Sequence, residues 1–271
     1  MLVFGAIAPH GGDILEEIAD DPRVMAKTRA AMQEMGRRFR ASRPETVVVL
    51  TPHGVVVKGA ISCGATRIAG GTLGDAPKQI QAVFETDMDL AERIFAEATT
   101  QELPLARLVG EESAQDAVLP LDWGALIPLW YTAHTTEPRP QVVVLAPDRS
   151  LPRETLVRSG VALARAAQAS GKRVALIASC DQGHAHDKNG PYGYSPASAT
   201  HDAAMCETIK ENDLPRLLQW PEAFLEEAKV DAFWQTIILA GALGHTPMHG
   251  ELLSYEAPTY FGMAVAAYVP I

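Results

Sequence analysis

The sequence predicts a single α/β domain in which a central, mixed and mainly parallel sheet is flanked by helices. Short, continuous apolar runs that suit buried strands alternate with longer stretches of helical periodicity. No linker, composition shift or internal repeat divides the chain. With 271 residues, of which 47% are hydrophobic, the chain is long enough for one large core. We therefore expect one domain over residues 1–271.

The first half of the chain predicts a strand–helix–strand unit. Residues 2–8 and 46–51 are continuous apolar runs, as expected of strands buried on both faces, and residues 22–41 between them have helical spacing. Residues 55–63 are predicted to form a further strand and residues 86–99 an amphipathic helix. These elements begin a parallel sheet with helical crossovers.

The second half repeats the pattern and then changes. Residues 141–146, 153–169 and 173–179 are predicted as strand, helix and strand. Residues 180–198 have no periodicity, and this polar stretch carries two His, two Asp and two Tyr. A loop of that length within a compact domain is usually functional or disordered, and its composition favours function. The remaining predicted elements are helices at 197–211, 220–228 and 231–243 and strands at 251–258 and 259–271.

Composition excludes several classes of partner. The net charge of −10, with no basic run longer than RRFR, argues against a nucleic-acid partner. No apolar stretch reaches the roughly 18 to 20 residues that span a bilayer, and the N-terminus lacks the basic region of a secretory signal. The three cysteines are widely spaced without a CxxC pair, which fits reduced thiols. We expect a cytoplasmic protein with neither a nucleic-acid nor a membrane partner.

Three histidines follow apolar runs, namely His10, His53 and His184. Ligands and catalytic groups are expected there, because the strand fixes the backbone and the loop exposes the side chain. His10 and His53 each follow a proline and precede a glycine, which lets the backbone approach a ligand closely. Two imidazoles and one carboxylate leave coordination positions open, as in non-haem Fe(II) oxygenases, whereas structural zinc uses four closed ligands. The pattern predicts a metal site.

Five segments, in order along nearly the whole chain, resemble the catalytic-subunit superfamily of class III extradiol ring-cleavage dioxygenases, which includes aminophenol dioxygenases, DOPA-type dioxygenases and Memo-like proteins. They are the strand ending at His10, TPHG around His53, LDWGALIPL at 121–129, ASCDQGH with the following GPYGYSP, and LLSYEAPTYFGMAVAAY near the C-terminus. The resemblance implies a non-haem Fe(II) enzyme, with Zn or Mn as alternatives, that opens a small aromatic ring with O₂. Some members of the family have a small accessory subunit that caps the site. A closed homo-oligomer is the usual expectation for a soluble enzyme.

The resemblance implies a ligand set for the metal. His10 and His53 fall on the two metal-binding histidines of the family, and Asp231 falls where ring-cleaving members have a glutamate near the start of a helix. Aspartate is one methylene shorter than that glutamate. Other positions for the third ligand remain open: a one-residue shift of the alignment puts Ala232 there, and the rival carboxylates are Glu251 and Glu256.

The same resemblance implies catalytic and substrate-binding residues. His184 falls on the histidine that acts as acid and base, and His186, two residues on, is a second candidate for the catalytic site. Asp181 and Asp187 are candidate orienting carboxylates for these rings. The residues expected to contact the substrate are Asp122, Trp123 and Tyr192.

Trp123 is the main departure from the family. Ring-cleaving members commonly have Asp-His-Gly where this chain has Asp122-Trp123-Gly124. Loss of the histidine indicates a different substrate or no ring cleavage, so a Memo-like binding protein remains an alternative. A zinc hydrolase in the same pocket, with Cys180, His184 and His186 as ligands, is another.

Overall fold

Eleven strands and seven α-helices occur in the residues that the computed structural model describes, which are 1–109, 117–231 and 233–271. The strands are β1 (Leu2–Ala8), β2 (Thr46–Leu50), β3 (Ile61–Gly64), β4 (Ile68–Asp75), β5 (Lys78–Glu85), β6 (Leu105–Leu108), β7 (Val118–Pro120), β8 (Gln141–Pro147), β9 (Val174–Ser179), β10 (Met248–Glu256) and β11 (Met263–Pro270).

The α-helices are α1 (Ala26–Ser42), α2 (Met88–Thr100), α3 (Trp123–Tyr131), α4 (Arg153–Ala169), α5 (Pro196–Lys210), α6 (Glu222–Glu227) and α7 (Phe233–His245). Single short 3-10 helices occupy Gly12–Ile14, Ala133–Thr135 and Leu214–Gln219. None of the helices described here combines the length and the apolarity that crossing a membrane requires.

The large sheet has eight strands in the order β10-β11-β1-β9-β2-β8-β3-β6. Its four central strands, β1, β9, β2 and β8, are parallel, whereas β11 and β3 join them on either side as antiparallel strands. This confirms the predicted mixed, mainly parallel sheet. The crossovers skip one strand, because β9 lies between β1 and β2, and β2 lies between β9 and β8.

Both faces of the central strands are buried, which explains their continuous apolar sequence. Successive side chains of a strand point to opposite faces, so Val47 and Val49 of β2 join one core cluster while Val48 and Leu50 join the other. Helices α1 and α3 cover the first cluster, and helices α2, α4 and α7 cover the second. A strand that is polar on one face could not occupy this position in the sheet.

Helices α4 and α7 pack against each other backbone to backbone. A Cβ atom on Gly160 would overlap the carbonyl oxygen of Ile238, and one on Gly241 would overlap that of Val157. The two glycines therefore allow an approach that any other residue would prevent. This packing fixes α7 against the sheet and sets the position of the chain that leads into it.

Several predictions about the elements need correction. The strand predicted at 55–63 is only Ile61–Gly64, because Val55 and Val56 are about half exposed in the loop that follows His53. The helix predicted at 220–228 is shortened to Glu222–Glu227 and follows a 3-10 helix. The sequence analysis missed α3 and the second, three-stranded sheet, which has the order β5-β4-β7.

Candidate metal centre and active site

The predicted site residues meet at the carboxyl edge of the parallel strands. His10 follows β1, His53 follows β2, and Asp181 follows β9, which lies between those two strands. Loops after adjacent parallel strands converge at one edge of the sheet, where α/β proteins commonly bind ligands. Asp231 reaches the same point from the segment before α7. Distant parts of the sequence thus supply one cluster.

The donor atoms of His10, His53 and Asp231 form a small triangle. The two Nε2 atoms are 3.1 Å apart, and Asp231 Oδ2 lies 3.3 Å from Nε2 of His10 and 3.2 Å from Nε2 of His53. This Oδ2 atom is buried and has no hydrogen-bond partner of good geometry among the described residues. Two ligand atoms about 2.1 Å from one ion, at angles of about 90–110°, are about 3.0–3.4 Å apart. The three side chains therefore fit a metal ion.

Neighbouring groups orient two of these side chains. His10 Nδ1 lies 2.9 Å from Ser179 Oγ, so the opposite ring nitrogen faces the cluster, and the His10 amide donates to Asp181 Oδ1 over 3.0 Å. Arg149 Nη2 donates to Asp231 Oδ1 over 2.5 Å, which leaves Oδ2 directed at the imidazoles. Such partners fix the tautomer and direction of ligand atoms. Asp181 therefore supports His10, whereas the ring nitrogens of His184 and His186 contact Gln182 and Asp202.

The charges in this cluster shift its pKa values strongly. Burial alone would lower the pKa of His10, but the nearby Asp181 and Asp231 carboxylates raise it above its usual value. Burial opposes ionisation of Asp231, yet contacts with His10 and His53 hold its pKa well below the usual range. Burial raises the pKa of Asp181. A carboxylate kept ionised beside two imidazoles is a donor set suited to a cation.

Trp123 and Asp122 support the loop that carries His53. The Trp123 ring stacks on the His53 ring with centroids 4.4 Å apart and planes at 26°. Asp122 Oδ1 accepts from Ala125 N at the start of α3 and from Thr51 Oγ1, at 3.1 Å and 2.6 Å. Asp122 is thus the N-cap of α3. Contact of these two residues with a substrate stays a prediction, and about half of the Trp123 surface is exposed.

His184 lies in a pocket that Asp231, Arg149 and Tyr192 also line. Its Nδ1 lies 2.8 Å from the carbonyl oxygen of Gln182. A carbonyl can only accept, so Nδ1 carries the hydrogen, and Nε2 of the neutral ring is left as a proton acceptor. The Tyr192 ring lies edge-on to His184 with centroids 5.8 Å apart. This places a candidate base and a candidate substrate contact beside the metal triangle.

His186 lies in a different environment. Its Nε2 donates to Asp202 Oδ2 over 2.8 Å, and Asp202 is fully buried. The same carboxylate binds His201, Tyr255 and the amide of Gly183. The sequence analysis missed Asp202, since it lies inside a helix with no motif around it. Its only signal was the His201-Asp202 pair in a stretch of helical periodicity.

The rival ligands lie elsewhere. Glu251 Oε2 is 2.6 Å from Arg38 Nη1, and Glu256 Oε1 accepts from both the amide and the hydroxyl of Thr28. Ala232 lies outside the described residues. The structure does not bring Cys180, His184 and His186 together as ligands either. Among the described residues, the group that could hold a metal ion consists of His10, His53 and Asp231. The geometry therefore supports neither Glu251 or Glu256 as the third ligand nor a zinc hydrolase that uses Cys180, His184 and His186.

The protein is thus an α/β protein with a candidate metal centre, formed by a His-His-Asp cluster at the carboxyl edge of its parallel strands. The family described as "Catalytic LigB subunit of aromatic ring-opening dioxygenase" matches residues 5–267, and the chain belongs to this family. The resemblance drawn from the sequence motifs is confirmed. The match supports a ring-opening dioxygenase type of protein with a metal-dependent site.

Two individual proteins are similar to this chain. Protein CA_C1420 of Clostridium acetobutylicum is 22% identical over 264 residues, which cover 96% of this chain but only 56% of that protein. The chain thus spans about half the length of this curated relative. The crystal structure of uncharacterized protein JW3007 from Escherichia coli K12 superposes with a TM-score of 0.57 at 18% identity, covering 98% of this chain and 99% of that one. At this identity the likeness shows the fold.

Proposed function

We propose that the protein is a non-haem Fe(II) dioxygenase that opens the ring of a small catechol- or aminophenol-type substrate with O₂. The convergence of His10, His53 and Asp231 donor atoms within 3.1–3.3 Å of one another carries this proposal. Two imidazoles and one carboxylate leave coordination positions for both substrate and O₂. Membership of the family supports a ring-opening reaction.

The protein's own residues have distinct tasks in this reaction. His10, His53 and Asp231 would hold the metal, which when bound supplies Lewis acidity toward a substrate hydroxyl and redox chemistry toward O₂. Arg149 keeps Asp231 Oδ1 occupied, so that Oδ2 stays directed at the imidazoles. Trp123 covers one face of His53 and shields it from water. These contacts preorganise the ligand set before any substrate arrives.

His184 performs the proton transfers. Because its Nδ1 is held by the carbonyl oxygen of Gln182, Nε2 takes the proton from a substrate hydroxyl and later returns it as a general acid. The stacked ring of Phe261, with centroids 5.5 Å apart, and the edge of Tyr192 limit rotation of the imidazole. The base is therefore aimed at the pocket, not free to turn toward solvent.

Anaerobic reconstitution tests the proposal. Metal-free protein is loaded separately with Fe(II), Zn(II) and Mn(II), mixed with a panel of catechols and aminophenols, and exposed to isotopically labelled O₂. We expect ring-fission absorbance and incorporation of both oxygen atoms with Fe(II), and neither in a His53→Ala variant treated identically. Stoichiometric metal binding without turnover of any panel member would contradict the dioxygenase proposal.

Trp123 favours one alternative, a Memo-like protein that binds metal without cleaving rings. Its ring occupies the face of His53, where ring-cleaving relatives are expected to offer a histidine toward substrate. Under this alternative the panel experiment would give metal binding and no oxygen incorporation. A Trp123→His variant that then gained ring fission would identify this position as the reason.

A further inference from the structure

Asp202 of α5 is a buried carboxylate with four hydrogen-bond donors. It accepts from Gly183 N and His201 Nδ1 at Oδ1, both at 2.8 Å, and from His186 Nε2 at 2.8 Å and the Tyr255 hydroxyl at 2.7 Å at Oδ2. Burial opposes its ionisation, but the donors from His186 and His201 hold the pKa of Asp202 below its usual value. An ionised group with no exposed surface is expensive to bury unless it is fully hydrogen-bonded, as it is here.

The donors of Asp202 lie on both sides of His184 in the chain. Gly183 precedes His184 and His186 follows it by two residues, so one carboxylate holds the loop at both ends of the segment that carries the candidate base. Tyr255 and His201 tie the same carboxylate to β10 and to α5 itself. The loop is thereby attached to regular elements of the fold.

Ser198, one helical turn before Asp202, holds the amide between these ends. Its Oγ accepts from Ala185 N at 2.9 Å and donates to the carbonyl oxygen of Ala228 at 2.8 Å. That carbonyl also accepts from His184 N at 3.0 Å. Three consecutive backbone amides around the candidate base thus have fixed partners. Positions four apart lie on the same face of a helix, which explains why one helix supplies both side chains.

Two glycines make room for this arrangement. A Cβ on Gly183 would lie 2.8 Å from Cβ of Ser198, and one on Gly262 would overlap Oδ2 of Asp202. Gly262 is also paired with the loop, since its amide donates to the carbonyl of Gly183 and its carbonyl accepts from Gln182 N. Glycine thus stands where the loop approaches Ser198 and where the chain before β11 approaches the Asp202 carboxylate.

We propose that Asp202 and Ser198 are positioning residues, which lock residues 182–186 onto α5 and so hold the His184 imidazole toward the metal-side pocket. In this arrangement His186 is a structural partner of Asp202 and transfers no proton to substrate. The catalytic consequence rests on the proposed ring-opening function. The locking of the loop does not, so it is measured separately on metal-free protein.

The first experiment compares Asp202→Asn with Asp75→Asn, an identical change at an exposed position of the second sheet. Amide hydrogen exchange of Gly183 and Ala185, and the ring resonances of His184 assigned with a His184→Phe variant, are followed by NMR without metal. We expect at least about tenfold faster exchange and a displaced His184 resonance in Asp202→Asn only. Wild-type exchange and resonances in folded Asp202→Asn would overturn the proposal.

The second experiment uses the milder Tyr255→Phe, which removes one hydrogen bond, and Ser198→Ala, which removes two. Both variants keep the proposal testable if Asp202→Asn does not fold. The same faster exchange at Gly183 or Ala185 is expected, and its absence in both variants would overturn the proposal. With Fe(II) bound, kcat should fall about 10- to 100-fold in Asp202→Asn, while KM and the metal content stay near wild type. A loss confined to KM or to metal content would instead place Asp202 outside the positioning of the base.

Discussion

Asp231 brings a carboxylate oxygen to the two imidazoles, although its side chain is one methylene shorter than the glutamate expected from the resemblance. It is buried, its Oδ2 atom reaches within 3.3 Å of both imidazole nitrogens, and Arg149 holds the other oxygen. Residue type alone is therefore a poor guide to whether a carboxylate can reach a metal.

The carboxylate ligand can be identified by two matched variants. Asp231→Ala should lose bound metal, because it removes one of only three protein ligands. Glu251→Ala should retain about one ion per chain, because Glu251 is exposed and paired with Arg38. Metal content after dialysis, measured by elemental analysis, checks both. Metal retained in Asp231→Ala but lost in Glu251→Ala would show that Glu251 of β10 supplies the ligand.

Catalysis and metal binding should separate at His184. A His184→Phe variant keeps an aromatic ring between Phe261 and Tyr192 but removes Nε2, so kcat should fall about 10²- to 10⁴-fold. Bound metal should remain, because His184 lies outside the cluster of His10, His53 and Asp231. Steady-state kinetics on a panel substrate, with metal content measured in the same sample, check this. Unchanged turnover would remove His184 from the proton transfers.

Sequence reasoning found the residues that follow strands and missed those that lie within helices. His10 and His53 were predictable, because apolar runs mark strand ends and glycine follows each histidine. Asp202 was not, since which helix faces which loop is decided by tertiary packing. Asp122 was noticed, but its role as N-cap of α3 and partner of Thr51 depends on a helix that the periodicity did not reveal. Motifs locate ligands better than the groups that orient them.

At the scale of elements, too, the sequence predicted some features and missed others. Strands β1, β2, β8 and β9 and helices α1, α2, α4 and α5 were predicted to within a few residues, with α4 at its observed bounds, because buried strands and amphipathic helices have clear periods. The edge strand β6 was missed, and β3 begins six residues after its predicted start. The β4–β5 hairpin was missed although Ile80, Ala82 and Phe84 alternate with exposed residues in β5. Its partner β4 has glycines that weaken the strand pattern, and α3 contains an internal proline.

The contact between α4 and α7 gives a prediction about stability. Gly241→Ala would place a methyl group against the Val157 backbone, so we expect a loss of about 1–3 kcal/mol in the free energy of unfolding. Gly244→Ala, in the same helix with open space around it, should be neutral or stabilising by up to about 1 kcal/mol. Urea unfolding of both variants checks the difference. Equal stability of the two would mean that the helices can separate without cost.

At the scale of the whole molecule, the match over residues 5–267 shows the family, and ring-opening activity of this chain remains a proposal. The alignment with CA_C1420 covers 96% of this chain but only 56% of that protein. Any activity of the complete relative therefore does not transfer directly to this chain. The homo-oligomer, the accessory subunit, the domain limits at residues 1–271 and the cytoplasmic location stay predictions from the sequence. Each depends on surfaces and partners outside a single chain.

The three thiols give a prediction that reports on the integrity of the whole fold. Cys63, Cys180 and Cys206 are all buried. Burial raises the pKa of Cys63 to about 12 and that of Cys206 to about 11, and it also raises the pKa of Cys180. A raised thiol pKa keeps the neutral form, and only the thiolate reacts with disulfide reagents. Native protein at about pH 8 should therefore react with an aromatic disulfide far more slowly than a free cysteine, whose ordinary pKa is about 8.5.

In guanidinium chloride all three thiols should react rapidly, which is the internal control. Cys63→Ser and Cys206→Ser variants identify any thiol that reacts in the native state, and a single fast thiol there would show that its part of the core opens on the time scale of the assay.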